Sequence, residues 1–176
     1  MTTHSDDAAR RAYWAEQMEL GYELVQRTLT FEVRECGEGF ASIPDAARAS
    51  GVEMLFSQSK IAGGLDRVFF MRERLVRDVM AVGRAMNERG WILKIEDGYR
   101  SLEMQGSLVR KPEVFDAVLR KCIWENGGVM PPVEFIARRA LVMVANVPKI
   151  GTHMSCSAID VSVFRRDDVS EVWRGN

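Results

Sequence analysis

The apolar positions predict helices over much of the chain. Between residues 8 and 29 they recur at helical spacing, after two aspartates that suit a helix N-terminus. Residues 66–89 have one apolar and one charged side, and Gly90 follows as a C-cap. Further helices are predicted at 101–110, 112–124 and 131–145. The last two open at prolines, whose missing N–H costs nothing in a first helical turn.

Short strands are predicted between these helices. Residues 91–95 are rich in bulky apolar types and predict a buried strand, and residues 158–164 alternate and predict a second one. Residues 31–35 also alternate, which indicates a half-exposed strand, whereas the glycines and serines of 36–65 predict loops with short helical turns. We therefore predict an α+β fold with several helices packed on a small, mainly antiparallel sheet. A doubly wound sheet is less favoured because no regular βαβ alternation is present.

Composition narrows the class of protein. With 176 residues, 47% hydrophobic and 28% charged, the chain is predicted to form a single domain over 1–176. A net charge of -1 and isolated basic pairs without interleaved aromatics argue against a nucleic-acid partner. The chain has no apolar stretch of membrane-spanning length, so no membrane partner and a cytoplasmic location are expected. Three cysteines without a C-x-x-C pair predict reduced thiols.

One histidine stands out as a candidate for chemistry. His4 lies in a polar N-terminal segment, whereas His153 lies in Gly151-Thr-His-Met-Ser-Cys-Ser-Ala-Ile-Asp160, just before a predicted strand. A chain that loops once and then enters the sheet can bring His153 and Asp160 to one point, as a zinc site with nitrogen and oxygen ligands requires. The alternative is that His153 caps a turn and Asp160 is an ordinary carboxylate at a strand edge.

A second candidate segment, Glu96-Asp-Gly-Tyr-Arg100, follows the predicted buried strand. A strand end and a glycine turn hold Arg100 in place, and its planar guanidinium suits a substrate carboxylate. The alternative is a structural salt bridge from Arg100 to Asp97 or Glu96.

Together the two segments resemble a known family. Asp97-Gly-Tyr-Arg100 is similar to the D-G-Y-R-P segment, and the stretch from His153 to Asp160 to the S-x-H-x-x-G-x-A-x-D segment, of zinc D-alanyl-D-alanine dipeptidases. These hydrolases are metallopeptidases associated with vancomycin resistance and with turnover of cell-wall peptidoglycan. The order of the segments agrees, and the resemblance extends from residue 66 to Val163.

The resemblance implies specific roles. His153 and Asp160 would be zinc ligands, and Arg100 would bind the dipeptide and stabilise the tetrahedral intermediate, with Asp97 and Tyr99 also at the substrate. In the family an E-x-x-H-type segment further along supplies a third ligand and a glutamate general base. No such segment occurs before the final Trp173-Arg-Gly-Asn176. We therefore expect the chain to be the N-terminal part of a peptidase domain, completed by a C-terminal fragment or a second chain that supplies the missing His and Glu.

Three positions differ from the family pattern. Gly151 stands at the serine of S-x-H, Cys156 at the glycine, and Ser101 at the proline after arginine. These changes affect the expected substrate more than the metal. Cys156 is a further candidate for a soft third ligand, but its place in a tight loop favours a packed residue.

Two other functional hypotheses remain open. A non-catalytic relative would keep the pocket and Arg100 to bind a peptide or amino-acid carboxylate, without zinc. A helical interaction domain would give His153 no special role.

Overall fold

The computed structural model describes residues 4–61, 64–145, 147 and 149–172. This part of the chain contains six α-helices and five strands. The helices are α1 (His4–Thr30), α2 (Ile43–Ser50), α3 (Glu73–Asn87), α4 (Leu102–Val109), α5 (Pro112–Glu125) and α6 (Val133–Met143), and the strands are β1 (Phe40–Ser42), β2 (Met54–Phe56), β3 (Phe70–Arg72), β4 (Trp91–Asp97) and β5 (Asp160–Arg165). The α+β class and the largely antiparallel pairing are as predicted.

The chain divides into two compact units. The first comprises Met1–Arg34 and Gly106–Gly151, and the second comprises Glu35–Gln105 and Thr152–Asn176. Helices α1, α5 and α6 belong to the first unit, whereas α2, α3 and all five strands belong to the second. Every candidate site residue from Asp97 to Arg100 and from His153 to Asp160 therefore lies in the second unit. A single domain over 1–176 stays a prediction.

Two small sheets organise the second unit. β1 pairs antiparallel with β3, while β4 lies between a parallel β2 and an antiparallel β5. The β4–β5 pairing has an irregularity after Ile95, beyond which Asp97 is opposite Asp160. This register brings the end of one strand beside the start of the other, at the point where both candidate segments occur.

The core of the second unit lies against α3. Val76 and Met80 of α3 are buried with Ile43 of α2 and with Leu93 and Ile95 of β4. Full burial of such a side chain contributes about 1.5–3 kcal/mol. The core thus fixes β4, from whose end the candidate site begins.

The first unit combines three helices with a buried ion-pair cluster. Arg139 of α6 contacts Glu125 of α5, with Nη2 to Oε1 at 2.5 Å, and Glu19 of α1, with Nη1 to Oε1 at 2.7 Å. Trp14 donates its indole N–H to Glu125 at 3.2 Å. The cluster therefore ties α1, α5 and α6 together through charge-assisted hydrogen bonds.

Several predicted boundaries are wrong. Residues 31–35 form no strand, because the exposed Phe31 and Val33 have no partner strand among the residues that the structure describes. The predicted helix over 66–89 begins only at Glu73, because Phe70–Arg72 pairs with β1 instead. Residues 36–65 contain β1, α2 and β2 as well as loops. The remaining predicted helices and both predicted sheet strands are present, with α1 starting early enough to include both aspartates in its first turn.

No helix in the described ranges is long and apolar enough to cross a membrane. All three cysteines are free thiols, as predicted, with Cys36 exposed and Cys122 and Cys156 buried.

Candidate functional site

The site begins where β4 ends, at a glycine that the packing requires. A Cβ on Gly98 would lie 2.6 Å from the carbonyl oxygen of Val68. The next residue, Tyr99, donates its backbone N–H to that same oxygen at 2.8 Å. The segment after β4 is thus pressed against residues 68–70, and only glycine fits at 98 without displacing backbone.

Asp97 is a buried support for two arginines. Its side chain is 2% exposed, and its Oδ1 accepts the Gly98 N–H at 3.0 Å. Its Oδ2 contacts Arg100 Nε at 2.7 Å and Arg67 Nη1 at 2.9 Å. The salt bridge considered as the alternative role of Arg100 is therefore present. In this position Asp97 orients the Arg100 guanidinium, and its assignment to substrate binding stays a prediction.

His153 lies in a short 3₁₀ turn, Thr152–Ser155, with a defined tautomer. Its Nδ1 is 2.7 Å from the carbonyl oxygen of Gly98. Because a carbonyl oxygen only accepts, Nδ1 carries the proton, and in the neutral ring Nε2 presents a lone pair. Metal-binding histidines are typically oriented by such a second hydrogen bond.

Asp160, the first residue of β5, faces both His153 and Arg100. Its Oδ1 is 3.5 Å from His153 Nε2, and its Oδ2 is 2.7 Å from Arg100 Nη2. The structure therefore brings together the three residues singled out from the two sequence segments. Their backbones are linked too, because the Arg100 N–H donates to the His153 carbonyl oxygen at 3.3 Å.

The distance between His153 Nε2 and Asp160 Oδ1 is close to the distance between two ligand atoms on one metal ion. Either a protonated imidazole, whose Nε2–H faces the carboxylate, or a cation between a neutral ring and the carboxylate makes such a contact favourable. Their 3.5 Å separation exceeds the usual N–H···O hydrogen bond of about 2.7–3.2 Å. Two ligands of a tetrahedral zinc, each about 2.1 Å from the metal, lie about 3.4 Å apart. The pair thus fits two of the ligand positions of a zinc ion.

The described residues supply no third ligand. No group of three or more His, Cys, Asp or Glu residues suited to a metal is found within them. Cys156 does not join His153 and Asp160 in such a group. The His4 side chain and the final segment from Trp173 to Asn176 lie outside the described residues.

A buried glutamine completes the setting of Arg100. Gln105, on α4, accepts a hydrogen bond from Arg100 Nη1 at 3.2 Å. Sequence reasoning missed both Gln105 and Arg67. The available signal for Gln105 was a polar residue one helical turn after Ser101, on the side of α4 that faces back to the arginine. Arg67 offered no such signal because it is thirty positions from its partner.

Arg72 holds the turn that carries His153. Its Nε donates to the Ser155 carbonyl at 3.1 Å and its backbone N–H to the Cys156 carbonyl at 2.9 Å. Its guanidinium also contacts Glu35 at 2.9 Å, and the hydrogen bond between the two side chains lowers the pKa of Glu35 and raises that of Arg72. The imidazole is therefore carried on a turn fixed from two sides.

Cys156 adopts a backbone conformation that favours glycine. Its φ is 56°, in the left-handed region. Burial raises the pKa of its thiol, and Arg72 offsets this only in part, so the sulfur is a neutral packed group. This agrees with a packed residue at 156.

Tyr99 lies between Gly98 and Arg100, at the edge of a cavity. Its ring is half-buried and lines an apolar cavity with Phe40, Val68, Phe70 and Cys156.

Comparison with protein-family models finds no match for this chain. No similar protein is found among curated proteins or solved structures.

Proposed function

We propose that the protein is a zinc-dependent hydrolase of small D-amino-acid dipeptides, D-Ala-D-Ala-like, or of a related amide. His153 and Asp160 are the proposed zinc ligands, and Arg100 the proposed substrate-binding and catalytic residue. The observation that carries the proposal is the approach of His153 Nε2 to Asp160 Oδ1 at 3.5 Å beside the Arg100 guanidinium.

The local conformation gives independent support to the resemblance that suggested this function. Gly98 stands at a backbone approach that admits no Cβ. Cys156 stands at the glycine of the family pattern and has the left-handed φ that explains a glycine there. Both motif segments are thus shaped as their glycines require.

The residues of this chain have definable roles in such a reaction. Bound zinc supplies Lewis acidity and a water of lowered pKa. His153 is held in the tautomer that leaves Nε2 free by its hydrogen bond to Gly98, and Asp97 holds the Arg100 Nε. Among the described residues, three of the five Arg100 N–H groups have acceptors, which leaves donors for a substrate carboxylate or for negative charge developing on the amide oxygen. Hydrolysis breaks the C–N bond, with hydroxyl added to the carbonyl carbon and a proton to the leaving nitrogen.

A third ligand and a general base are part of the proposal. A catalytic zinc usually has three protein ligands. We propose that a further segment or a second chain supplies the missing His and Glu, and mass spectrometry of whatever chains co-purify tests this. A purified, active sample with a single species of 19.9 kDa would contradict it.

Metal analysis is the primary test. We expect about one zinc per assembled site, hydrolysis of D-dipeptides, and loss of both with a chelator. His153→Ala should lose zinc and activity together, while the exposed Arg48→Ala should keep both. A wild-type protein that binds no zinc and hydrolyses none of a panel of D- and L-dipeptides would overturn the proposal.

Arg100→Ala separates the arginine from the metal. We expect kcat/KM to fall by about 10²–10³, as for loss of one oxyanion-stabilising donor, with zinc still bound. Steady-state kinetics and metal content on the same sample measure the two effects. Full activity in this variant would show that Arg100 has a purely structural role.

A non-catalytic binding protein is the alternative, and one observation favours it. The described residues offer only two candidate zinc ligands at this position. Such a protein would bind a peptide or amino-acid carboxylate through Arg100 without zinc. Its signature is peptide binding that survives chelation and His153→Ala but not Arg100→Ala.

A further inference from the structure

An apolar cavity lies beside the two segments that carry the candidate site, because Tyr99 and Cys156 of those segments line it. Its volume is about 350 Å³, at the lower end of the range for ligand pockets. The lining is apolar apart from the Tyr99 hydroxyl and the Cys156 thiol, and consists of Phe40, Val68, Phe70, Tyr99 and Cys156. A dry cavity of about 150 Å³ is large enough for benzene, so this one admits an aromatic side chain.

The two phenylalanines face the cavity because of the strand register. Phe40 is opposite Arg72 and Phe70 is opposite Ser42, which places both rings on the same face of the β1–β3 pair. The residue after Phe70 on β3, Met71, points to the opposite face of the pair and is buried in the core. The pleat therefore sends one set of side chains into the core and leaves the two aromatic rings partly exposed.

Exposed aromatic rings at a cavity need an explanation. A contiguous apolar depression on a protein surface commonly marks a binding site. The Phe40 ring is held rather than free, because the Arg72 guanidinium lies 4.7 Å from its centroid. Arg72 is also the residue that fixes the turn of His153, so this wall of the cavity and the imidazole share a support.

The backbone ties the other walls of the cavity to the site. Tyr99 directly precedes Arg100, and neighbouring Cα atoms are about 3.8 Å apart. The Cys156 N–H donates to the His153 carbonyl oxygen at 3.2 Å, the same oxygen that accepts from Arg100. Two lining residues, Tyr99 and Cys156, thus belong to the backbone segments that carry Arg100 and His153.

We infer that this cavity receives a bulky apolar side chain of the substrate, so that the preferred dipeptides carry a residue such as phenylalanine rather than two alanines. The inference rests on the proposed function for its substrate class. An alanine methyl would leave most of the cavity unfilled. A benzyl group would remove both itself and the rings of Phe40 and Phe70 from water, which drives binding.

Direct binding of defined dipeptides tests the inference. Calorimetry would compare alanyl-alanine, alanyl-phenylalanine and phenylalanyl-alanine in D and L configurations, with and without added zinc. We expect at least one phenylalanine peptide to bind about 10- to 100-fold more tightly than alanyl-alanine of the same configuration. Equal affinities for all of them would overturn the inference.

Variants locate the preference. Phe70→Ala should reduce about tenfold the ratio of the dissociation constant of alanyl-alanine to that of the preferred phenylalanine dipeptide. If Phe70→Ala fails to fold, Phe40→Ala gives the same test. The control is Phe31→Ala, which removes an exposed ring outside the cavity and should leave the ratio unchanged. A ratio that survives both cavity variants would also overturn the inference.

Parallel hydrolysis assays keep this inference separate from the proposed function. Selective peptide binding that depends on Phe70, without zinc binding or turnover, would contradict the proposed hydrolase and support the cavity as a peptide-binding pocket. Zinc-dependent turnover of all the dipeptides with equal kcat/KM and equal affinity would support the proposed hydrolase. It would contradict a role of the cavity in substrate recognition.

Discussion

Each unit of the molecule contains an arginine set between two carboxylates, one buried and one half-exposed. In the first unit Arg139 lies between Glu125, 4% exposed, and Glu19, 48% exposed. In the second unit Arg100 lies between Asp97, 2% exposed, and Asp160, 53% exposed. The two clusters have the same arrangement of charges and nearly the same burial of their carboxylates, so any difference in role depends on what surrounds them.

The surroundings differ at the half-exposed carboxylate. Both Glu19 oxygens contact arginines, Oε1 to Arg139 and Oε2 to Arg138. Asp160 gives only Oδ2 to an arginine, and its Oδ1 faces the imidazole nitrogen of His153. The first cluster is closed by complementary charge, whereas in the second, one oxygen of the half-exposed carboxylate faces an imidazole nitrogen. Burial and ion pairing are alike in the two clusters, and the imidazole at Asp160 distinguishes the second.

The largest expected difference is in stability. Among the described residues, Arg139→Met leaves buried Glu125 with only the Trp14 N–H as a side-chain donor. We expect the free energy of unfolding to fall by about 3–5 kcal/mol. Arg100→Met leaves Asp97 with Arg67 and the Gly98 N–H, so its cost should be smaller, about 1–3 kcal/mol. Urea denaturation followed by circular dichroism measures both. The opposite order would break the comparison.

Arg138→Met is the matched control for Arg139→Met. Arg138 also contacts Glu19 but is far more exposed, so its loss should cost under about 1 kcal/mol. A similar loss in both variants would mean that burial is not what makes Arg139 important.

A smaller effect is expected at the backbone under the second cluster. In Gly98→Ala the added Cβ meets the Val68 carbonyl oxygen at 2.6 Å, and backbone must move. We expect a loss of about 1–3 kcal/mol, together with weaker zinc binding, because the Gly98 carbonyl orients His153. Thermal denaturation and metal affinity on the same variant measure the two effects.

Gly39→Ala provides the control for this substitution. Its added Cβ would lie 2.7 Å from Glu73 Oε1, which is the far end of an exposed, flexible side chain. That atom can move, so the change should stay within about 0.5 kcal/mol. If the two alanine variants were equally stable, the backbone fit at Gly98 would not be what fixes the site.

The sequence singled out the residues that form the second cluster. His153 and Asp160 are seven positions apart at the start of a strand and Arg100 is three positions after Asp97, so each pair is local. The meeting of Arg100 with Asp160, sixty positions apart, was indicated by the resemblance and not by local geometry. Helices such as α5 and strand β4 were predictable for a similar reason, since their periodicity is continuous and their ends are marked by proline or glycine.

Long-range partners could not be predicted in this way. Arg67 reaches Asp97 across thirty residues, and Arg72 reaches Ser155 across eighty-three, so no local pattern indicates either contact. The same limit explains the errors at 31–35 and 66–72. Both stretches alternate or contain bulky apolar residues, but only Phe70–Arg72 finds a strand to pair with. Whether an alternating segment becomes a strand depends on a partner elsewhere in the chain.

The smallest expected effect concerns the half-exposed carboxylate of the closed cluster. The hydrogen bond from Arg139 lowers the pKa of Glu19 below its ordinary value near 4.5, although burial acts in the opposite direction. A carboxylate whose pKa is lower in the folded state stabilises the fold fully above its ordinary pKa and loses that contribution as the pH falls through the lowered value. Because Glu19 is half-exposed and screened by solvent, the contribution should be at most about 1 kcal/mol.

Measuring the free energy of unfolding of wild type and Glu19→Gln from about pH 6 to about pH 3 should show a difference that closes on acidification. Glu16→Gln, at an exposed position of the same helix and with no ion pair found for Glu16 in the described part of the chain, should show no such convergence. A Glu19→Gln difference that stayed constant with pH would mean that the closed cluster depends on Glu125 alone.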